Sequence, residues 1–287
     1  MSRTRVVLLT MLAMIAFAAN SLLCRLALAH TAIDAASFTL LRIGAGALAL
    51  WLIVRLRGER IGGAGNWPSA LALFVYAAGF SFAYVTLPAA AGTLLLFGAV
   101  QTTMIGVGLW RGERLRAVQL AGLALACAGL VGLLLPGLSA PAPGASLLMV
   151  AAGVAWGVYS LRAKGAANPL WITTGNFIRA LPLAVVLAAL GMLAHVHASI
   201  DRAGAIYAIL SGALASGAGY AVWYTALRGL RTTSAATVQL SVPVIAALGG
   251  ALFLGEAITP RLVMASVAIL GGIAFVTLFA RPARTQA

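Results

Sequence analysis

Long apolar runs broken by short polar or basic clusters set the pattern of this chain. A membrane-crossing helix needs roughly 20 mainly apolar residues. Ten runs meet that length, at about 6–28, 34–54, 67–86, 88–109, 117–135, 144–161, 170–193, 202–226, 232–254 and 260–279. The pattern therefore predicts an all-α integral membrane protein of ten transmembrane helices. Several starts carry their own signal. Asp34 and Asp201 stand where an N-cap acceptor binds free backbone N–H groups, and capping is the favoured reading of both over substrate contact. Asn66-Trp67-Pro68, Asn168-Pro169 and Thr259-Pro260 each set a cap residue beside a helix-starting proline. Met1 to Arg5 followed by an apolar run resembles a signal peptide. That run is long and has a counterpart later in the chain, so it is read as the first span.

Composition closes off the soluble alternatives. The 287 residues are 62% apolar and 8% charged, against about 25% charged in ordinary soluble domains, and mean hydropathy is +1.04. Cys24 and Cys127 each lie inside an apolar run and read as two buried thiols rather than a disulfide framework. The net charge of +14 would suit nucleic acid if it formed a patch, but the 19 Lys and Arg fall in twos and threes between apolar runs. One set of connections holds fourteen of them: Arg3 and Arg5; Arg55, Arg57 and Arg60; Arg111, Arg114 and Arg116; Arg162 and Lys164; Arg228 and Arg231; Arg281 and Arg284. The alternate set holds Arg202 and Arg261. The positive-inside rule then puts both termini in the cytoplasm, and a bacterial inner membrane is the expected location. Trp51, Trp67, Trp110, Trp171 and Trp223 fall near the basic helix ends, as an aromatic belt; Trp156 lies deeper.

The two halves resemble each other. Residues 87–134 align without a gap on 230–277, pairing Leu87 with Leu230, Gly106 with Gly249, Gly112 with Gly255 and Glu113 with Glu256. Further matches in the same order are Arg25 with Lys164, Arg42 with Arg179 and Tyr84 with Tyr224. The expected units are 1–138 and 139–287. Five spans per unit is an odd number, so the halves enter the membrane from opposite sides. Such inverted repeats belong to secondary transporters, because two oppositely oriented copies can exchange inward-open and outward-open arrangements.

Specific residues then carry a family likeness. Phe82-Ala83-Tyr84, Leu87-Pro88-Ala89-Ala90, Gly112-Glu113-Arg114-Leu115 with its echo Gly255-Glu256, and Trp156-Gly157 followed by Lys164 resemble the EamA family of the drug/metabolite transporter superfamily, over essentially the whole chain. The likeness extends to bacterial amino-acid exporters of the YddG type. It implies a ten-helix exporter of amino acids or other small metabolites, with no cofactor and no metal.

Spans five and ten are nearly featureless, with Gly122/Ala126 and Ala128/Gly132 at small-xxx-small spacing. They read as scaffold in a monomer, or as the surface of a homodimer. The other spans hold the polar and aromatic side chains. Asn20, Tyr76, Tyr84, Phe97, Gln101, Trp156, Tyr159, Asn176, Tyr220, Tyr224 and Gln239 are the candidate lining of a central cavity. A buried amide is costly in hydrocarbon unless satisfied, so Gln101, Asn176 and Gln239 face the bundle interior, a neighbouring helix or water; hydrogen bonding between helices with no ligand is the equal alternative for each, and packing is the alternative for the aromatics. Stacked aromatics suit a substrate with an apolar or ring side chain. Arg42 and Arg179 lie within spans, where a charge faces protein or water. Each draws a substrate carboxylate into the pathway or ties to backbone carbonyls, and the tie is favoured. Arg25 is expected to snorkel to the outer surface. Glu113 and Glu256 read as structural, at the N-termini of spans five and ten. Pro182 and Pro243 fall inside spans, and Pro243 is a candidate gating hinge, a static kink being the equal alternative.

Asp34, Glu59, Glu113, Asp201 and Glu256 all map to connections or helix ends, and His30, His195 and His197 to the outer side. A proton-coupled carrier commonly uses a membrane-embedded carboxylate, so facilitated export is expected. Partners are then a small-molecule substrate and the lipid bilayer, with no nucleic acid. The rival readings are a multidrug exporter of the same fold, an intramembrane enzyme and a passive scaffold. The enzyme lacks clustered nucleophile, base or metal ligands, and the scaffold has no need of an inverted repeat.

Overall fold

The computed structural model describes residues 1–59, 63–110, 112, 116–135, 140–163, 168–193, 199–230 and 238–278. Glu113, Lys164, His195, His197 and the basic residues Arg60, Arg111, Arg114, Arg231, Arg281 and Arg284 lie outside them. The described chain is all helical: α1 Arg3–His30, α2 Ala35–Leu56, α3 Trp67–Tyr84, α4 Ala89–Trp110, α5 Ala117–Leu134, α6 Pro143–Ala163, α7 Pro169–Leu193, α8 Arg202–Leu227, α9 Ser241–Leu254 and α10 Pro260–Leu278. The first eight are long and apolar enough to cross a membrane, and the last two are shorter apolar helices. Helices satisfy every interior backbone group within the segment, which hydrocarbon demands.

Caps set the starts. Asp34 Oδ1 accepts from the backbone N–H groups of Ala36 and Ser37, each at 2.9 Å. Asp201 Oδ2 accepts from Gly204 at 3.2 Å, Asn66 Oδ1 from Ser69 at 2.9 Å, and Thr259 Oγ1 from Leu262 at 3.2 Å. Gly255 ends α9 at φ +64°, a left-handed conformation that a side chain resists. The ninth span departs from expectation. The helical path is interrupted at Leu240 rather than running unbroken from 232 to 254, and residues 231–237 lie outside the described chain. Pro243 sits in the first turn of α9 and has no N–H for the carbonyl four residues earlier.

Packing pairs the two halves crosswise. α1 lies against α8 and α9, and α6 lies against α3 and α4. α2 packs on α7 and α8, and α7 packs on α2 and α3. α5 packs on α10, and α4 meets α9. Each of these pairings thus has a counterpart when the halves are exchanged. Small residues allow the close crossings. A Cβ on Gly122 would lie 2.6 Å from the Gly272 carbonyl oxygen, and one on Gly129 2.7 Å from the Ala268 Cβ. The Gly122/Ala126 stripe is therefore occupied by α10 of the same chain, whereas Gly132 faces open space. Large apolar side chains such as Leu8, Leu48, Leu190, Leu248 and Met264 are exposed, as lipid-facing surface requires.

Helix alternation groups the ends into two faces. One carries the start of α1, the α2–α3 connection and the ends of α6 and α8, and is rich in Arg; it is called the basic face here, and its opposite the neutral face. On the basic face, Trp51, Trp67 and Trp110 are exposed. Trp171 is half-buried, with its indole N–H donating to Glu59. Trp223 is not a belt residue: it is 7% exposed and turned inward.

Candidate functional site

One stripe from each of several helices converges at the centre of the bundle. Phe17, Asn20 and Ser21 come from α1, Tyr76 and Phe80 from α3, Phe97, Gln101 and Met104 from α4. Trp156, Tyr159 and Ser160 come from α6, Tyr220, Trp223 and Tyr224 from α8, and Gln239 precedes α9. These spacings of three and four residues put the side chains of each helix on one face. Together they enclose a cavity of about 410 Å³, within the roughly 300–1,000 Å³ of small-molecule sites. The cavity reaches Ala163, Pro169 and Leu227 at the basic end of the bundle.

Aromatic rings form its wall. The Trp156 indole stacks on Tyr159 and on Tyr220, each at 5.3 Å between centroids, with interplanar angles of 25° and 28°. Tyr76 meets Trp156 at 4.7 Å, and Phe17 meets Tyr220 and Trp223 edge-on, each at 5.9 Å. Hydroxyls in the wall are held by hydrogen bonds: Tyr159 donates to Thr173 Oγ1 at 3.2 Å, and Thr173 and Tyr224 share a bond of 3.0 Å.

Of the residues expected to line a cavity, Asn20, Tyr76, Phe97, Gln101, Trp156, Tyr159, Tyr220, Tyr224 and Gln239 come together there. Tyr84 and Asn176 do not. Tyr84 ends α3, packs edge-on against Phe80 at 4.7 Å and donates its hydroxyl to the Ala89 carbonyl at 3.3 Å. Asn176 turns toward the α2–α3 connection, where its Oδ1 accepts from the Asn66 N–H at 2.9 Å. Phe17, Phe80 and Trp223 were missed as lining residues. The signal for Phe17 was its spacing of three and four from Asn20 and Ser21.

A π-helical stretch, Ser211–Ala218 within α8, is the least expected local feature. Such widened turns recur at functional sites. Here the run of small residues lets α8 press against α2, where a Cβ on Gly212 would overlap the Arg42 carbonyl. It also brings the Ser211 hydroxyl to Asn20, donating to Oδ1 at 2.6 Å. Asn20 in turn donates to the Tyr76 hydroxyl oxygen at 3.3 Å, and Arg42 Nη2 donates to the same oxygen at 3.0 Å.

The two arginines expected to be equivalent differ. Arg179 is satisfied by backbone carbonyls: Nη1 donates to Ala64 at 2.6 Å and Gly175 at 3.1 Å, and Nη2 to Gly63 at 3.1 Å. It ties the α2–α3 connection to α7. Arg42 is 2% exposed, lies over the Phe80 and Tyr76 rings at 4.6 and 5.2 Å, and leaves Nη1 with no hydrogen-bond partner among the described residues.

At the neutral end the bundle is closed by Arg25, which does not snorkel. Its Nε donates to Glu256 Oε1 at 3.0 Å, and its Nη1 to the carbonyls of Tyr84 and Val85 at 3.1 and 3.0 Å. Glu256 Oε2 accepts from the Ala89 N–H at 2.7 Å, at the positive end of α4.

Similarities to known proteins agree with this architecture. A crystal structure sharing 22% identity matches 98% of this chain and 100% of its own, with a TM-score of 0.67, which shows the fold. The chain is 57% identical over 274 residues to the uncharacterized protein PA1977 of Pseudomonas aeruginosa, covering 95% of this chain and 94% of that one. It is 34% identical over 137 residues to the threonine/homoserine exporter RhtA of Escherichia coli K12, covering 47% of this chain and 45% of the exporter. Residues 144–278 match the EamA-like transporter family. The chain is a multi-pass membrane protein, and its second half, residues 144–278, carries a domain of the EamA-like transporter family.

Proposed function

We propose that this protein exports small metabolites, with amino acids bearing apolar or aromatic side chains as the substrate class. The single observation behind this reading is the cavity of about 410 Å³ walled by stacked aromatics in the middle of the bundle. Such a wall accepts an apolar side chain, while Asn20, Gln101 and Gln239 offer polar contacts to a zwitterionic head. The partial similarity to a threonine/homoserine exporter supports an amino acid over other solutes.

The mechanism is alternating access between two inverted repeats, 1–138 and 139–287. The crosswise packing of the halves supports it, as does the closed Arg25–Glu256 end opposite the end the cavity reaches. The basic face is cytoplasmic by the positive-inside rule, so this is the inward-facing arrangement, and the break at Leu240 before Pro243 is the hinge. Transport is facilitated, because none of the described helices holds a carboxylate: Asp34, Glu59, Asp201 and Glu256 all lie outside them. Counterflow in proteoliposomes tests the reading with L-phenylalanine, L-leucine, L-threonine and the cationic dye ethidium. Saturable exchange of at least one amino acid is expected. Exchange of ethidium alone would favour a multidrug exporter, and exchange of none would contradict the proposal.

A further inference from the structure

The polar network beneath the aromatic wall has a surplus of donors. The Tyr76 hydroxyl oxygen receives hydrogen bonds from both Arg42 Nη2 and Asn20 Nδ2. A phenol oxygen has room for two such donors, so its own hydrogen must look elsewhere, and no described residue accepts it. Asn20 is itself held by Ser211, which donates to its carbonyl oxygen. Arg42 Nη1 is a second buried donor without an acceptor. Among the described residues no carboxylate pairs with Arg42, whose nearest charge-compensating neighbours are the faces of Phe80 and Tyr76.

An unpaired cation among membrane-crossing helices is costly, and an orphaned buried donor adds to that cost. Arg179, at the position related by the internal repeat, escapes the cost through three carbonyls. Arg42 does not, and Tyr76 stands between it and the cavity. Both unused donors and the positive charge call for the same thing, an anionic acceptor delivered from the cavity side.

We infer that Arg42, acting with the Tyr76 hydroxyl and the Asn20 amide, forms an anion site that binds the carboxylate of a small organic acid, while the Trp156–Tyr159–Tyr220 stack takes its apolar part. This rests on the cavity being the substrate site, and it makes a carboxylate, rather than an amine or a neutral polar group, the required feature of the substrate. Amines and cationic drugs are disfavoured by the same charge.

The test is equilibrium binding, which does not need transport. 3-Phenylpropionate and its uncharged analogue 3-phenylpropanamide are titrated into the purified full-length protein in chloride-free buffer, with quenching of intrinsic tryptophan fluorescence as the signal. The acid is expected to bind at least tenfold tighter than the amide. Arg42→Gln should abolish that preference, and Tyr76→Phe should reduce it several-fold. Equal binding of acid and amide by the unaltered protein overturns the inference, as does a preference that survives Arg42→Gln. If Arg42→Gln does not fold, the unaltered protein and Tyr76→Phe still decide. Selective acid binding without amino-acid exchange in liposomes would sink the export reading and leave the anion site standing. Amino-acid exchange without acid selectivity would do the reverse.

Discussion

Arg25 and Glu256, 231 positions apart in the chain, meet at 3.0 Å and bind α1 to the turn between α9 and α10. The other carboxylate oxygen of Glu256 holds the first N–H of α4, so one side chain gathers three segments at the neutral face. Its sequence counterpart Glu113 precedes α5, as Glu256 precedes α10.

Loss of this tie should loosen the neutral end. A hydrogen bond to a charged group contributes roughly 1.5–3 kcal/mol, which is at least about tenfold in an opening equilibrium. Cys24, fully buried beside Arg25, is the natural reporter. In a Cys127→Ala background, Glu256→Gln should raise maleimide labelling of Cys24 by about tenfold.

The aromatic wall should carry affinity for apolar side chains. Trp156→Ala removes the half-buried ring that stacks on both Tyr159 and Tyr220, and with it a wall face where an aromatic contact is worth about 0.5–1.5 kcal/mol beyond the apolar area it covers. Half-saturation for L-phenylalanine in counterflow should rise at least tenfold. Trp156→Phe, which keeps a ring there, should stay within a few-fold of the original.

Close crossing of α2 and α8 depends on a missing side chain. Gly212→Ala sets a methyl against the Arg42 carbonyl, and overpacking of this kind costs typically ~1–3 kcal/mol. Thermal unfolding in detergent should shift downward by several degrees. Gly106→Ala, whose Cβ meets nothing within 4 Å, should leave the midpoint unchanged.

Absence of a carboxylate from the described helices predicts indifference to a proton gradient. Counterflow rates should be equal with and without a pH step across the liposome. Uphill accumulation driven by the step alone would show that another group carries the proton.

The helices were legible because apolar run length and cap residues are local. Asp34, Asn66 and Thr259 cap where the sequence places them. The lining was largely legible because residues three or four apart share a face, as Tyr220 and Tyr224 do. Which face turns inward is a tertiary matter. Asn176 was drawn to the backbone of the α2–α3 connection and Tyr84 to the Ala89 carbonyl, and neither partner is visible in the pattern of their own helix. The different fates of Arg42 and Arg179 have the same origin. A glycine-containing connection supplies carbonyls to one and not to the other. The π-helical stretch left only an indirect trace, the small-residue run from Ser211 to Ala218.

Alternating access requires one cavity that opens to each face in turn. Ala215 lines it, so a single cysteine placed there by Ala215→Cys, in a Cys24→Ala, Cys127→Ala background, reports which face reaches it. In oriented vesicles, a membrane-impermeant maleimide should label this cysteine from the basic face and, more slowly, from the neutral face, with Glu256→Gln accelerating the second. Labelling from the basic face alone, unchanged by that substitution, would contradict alternating access.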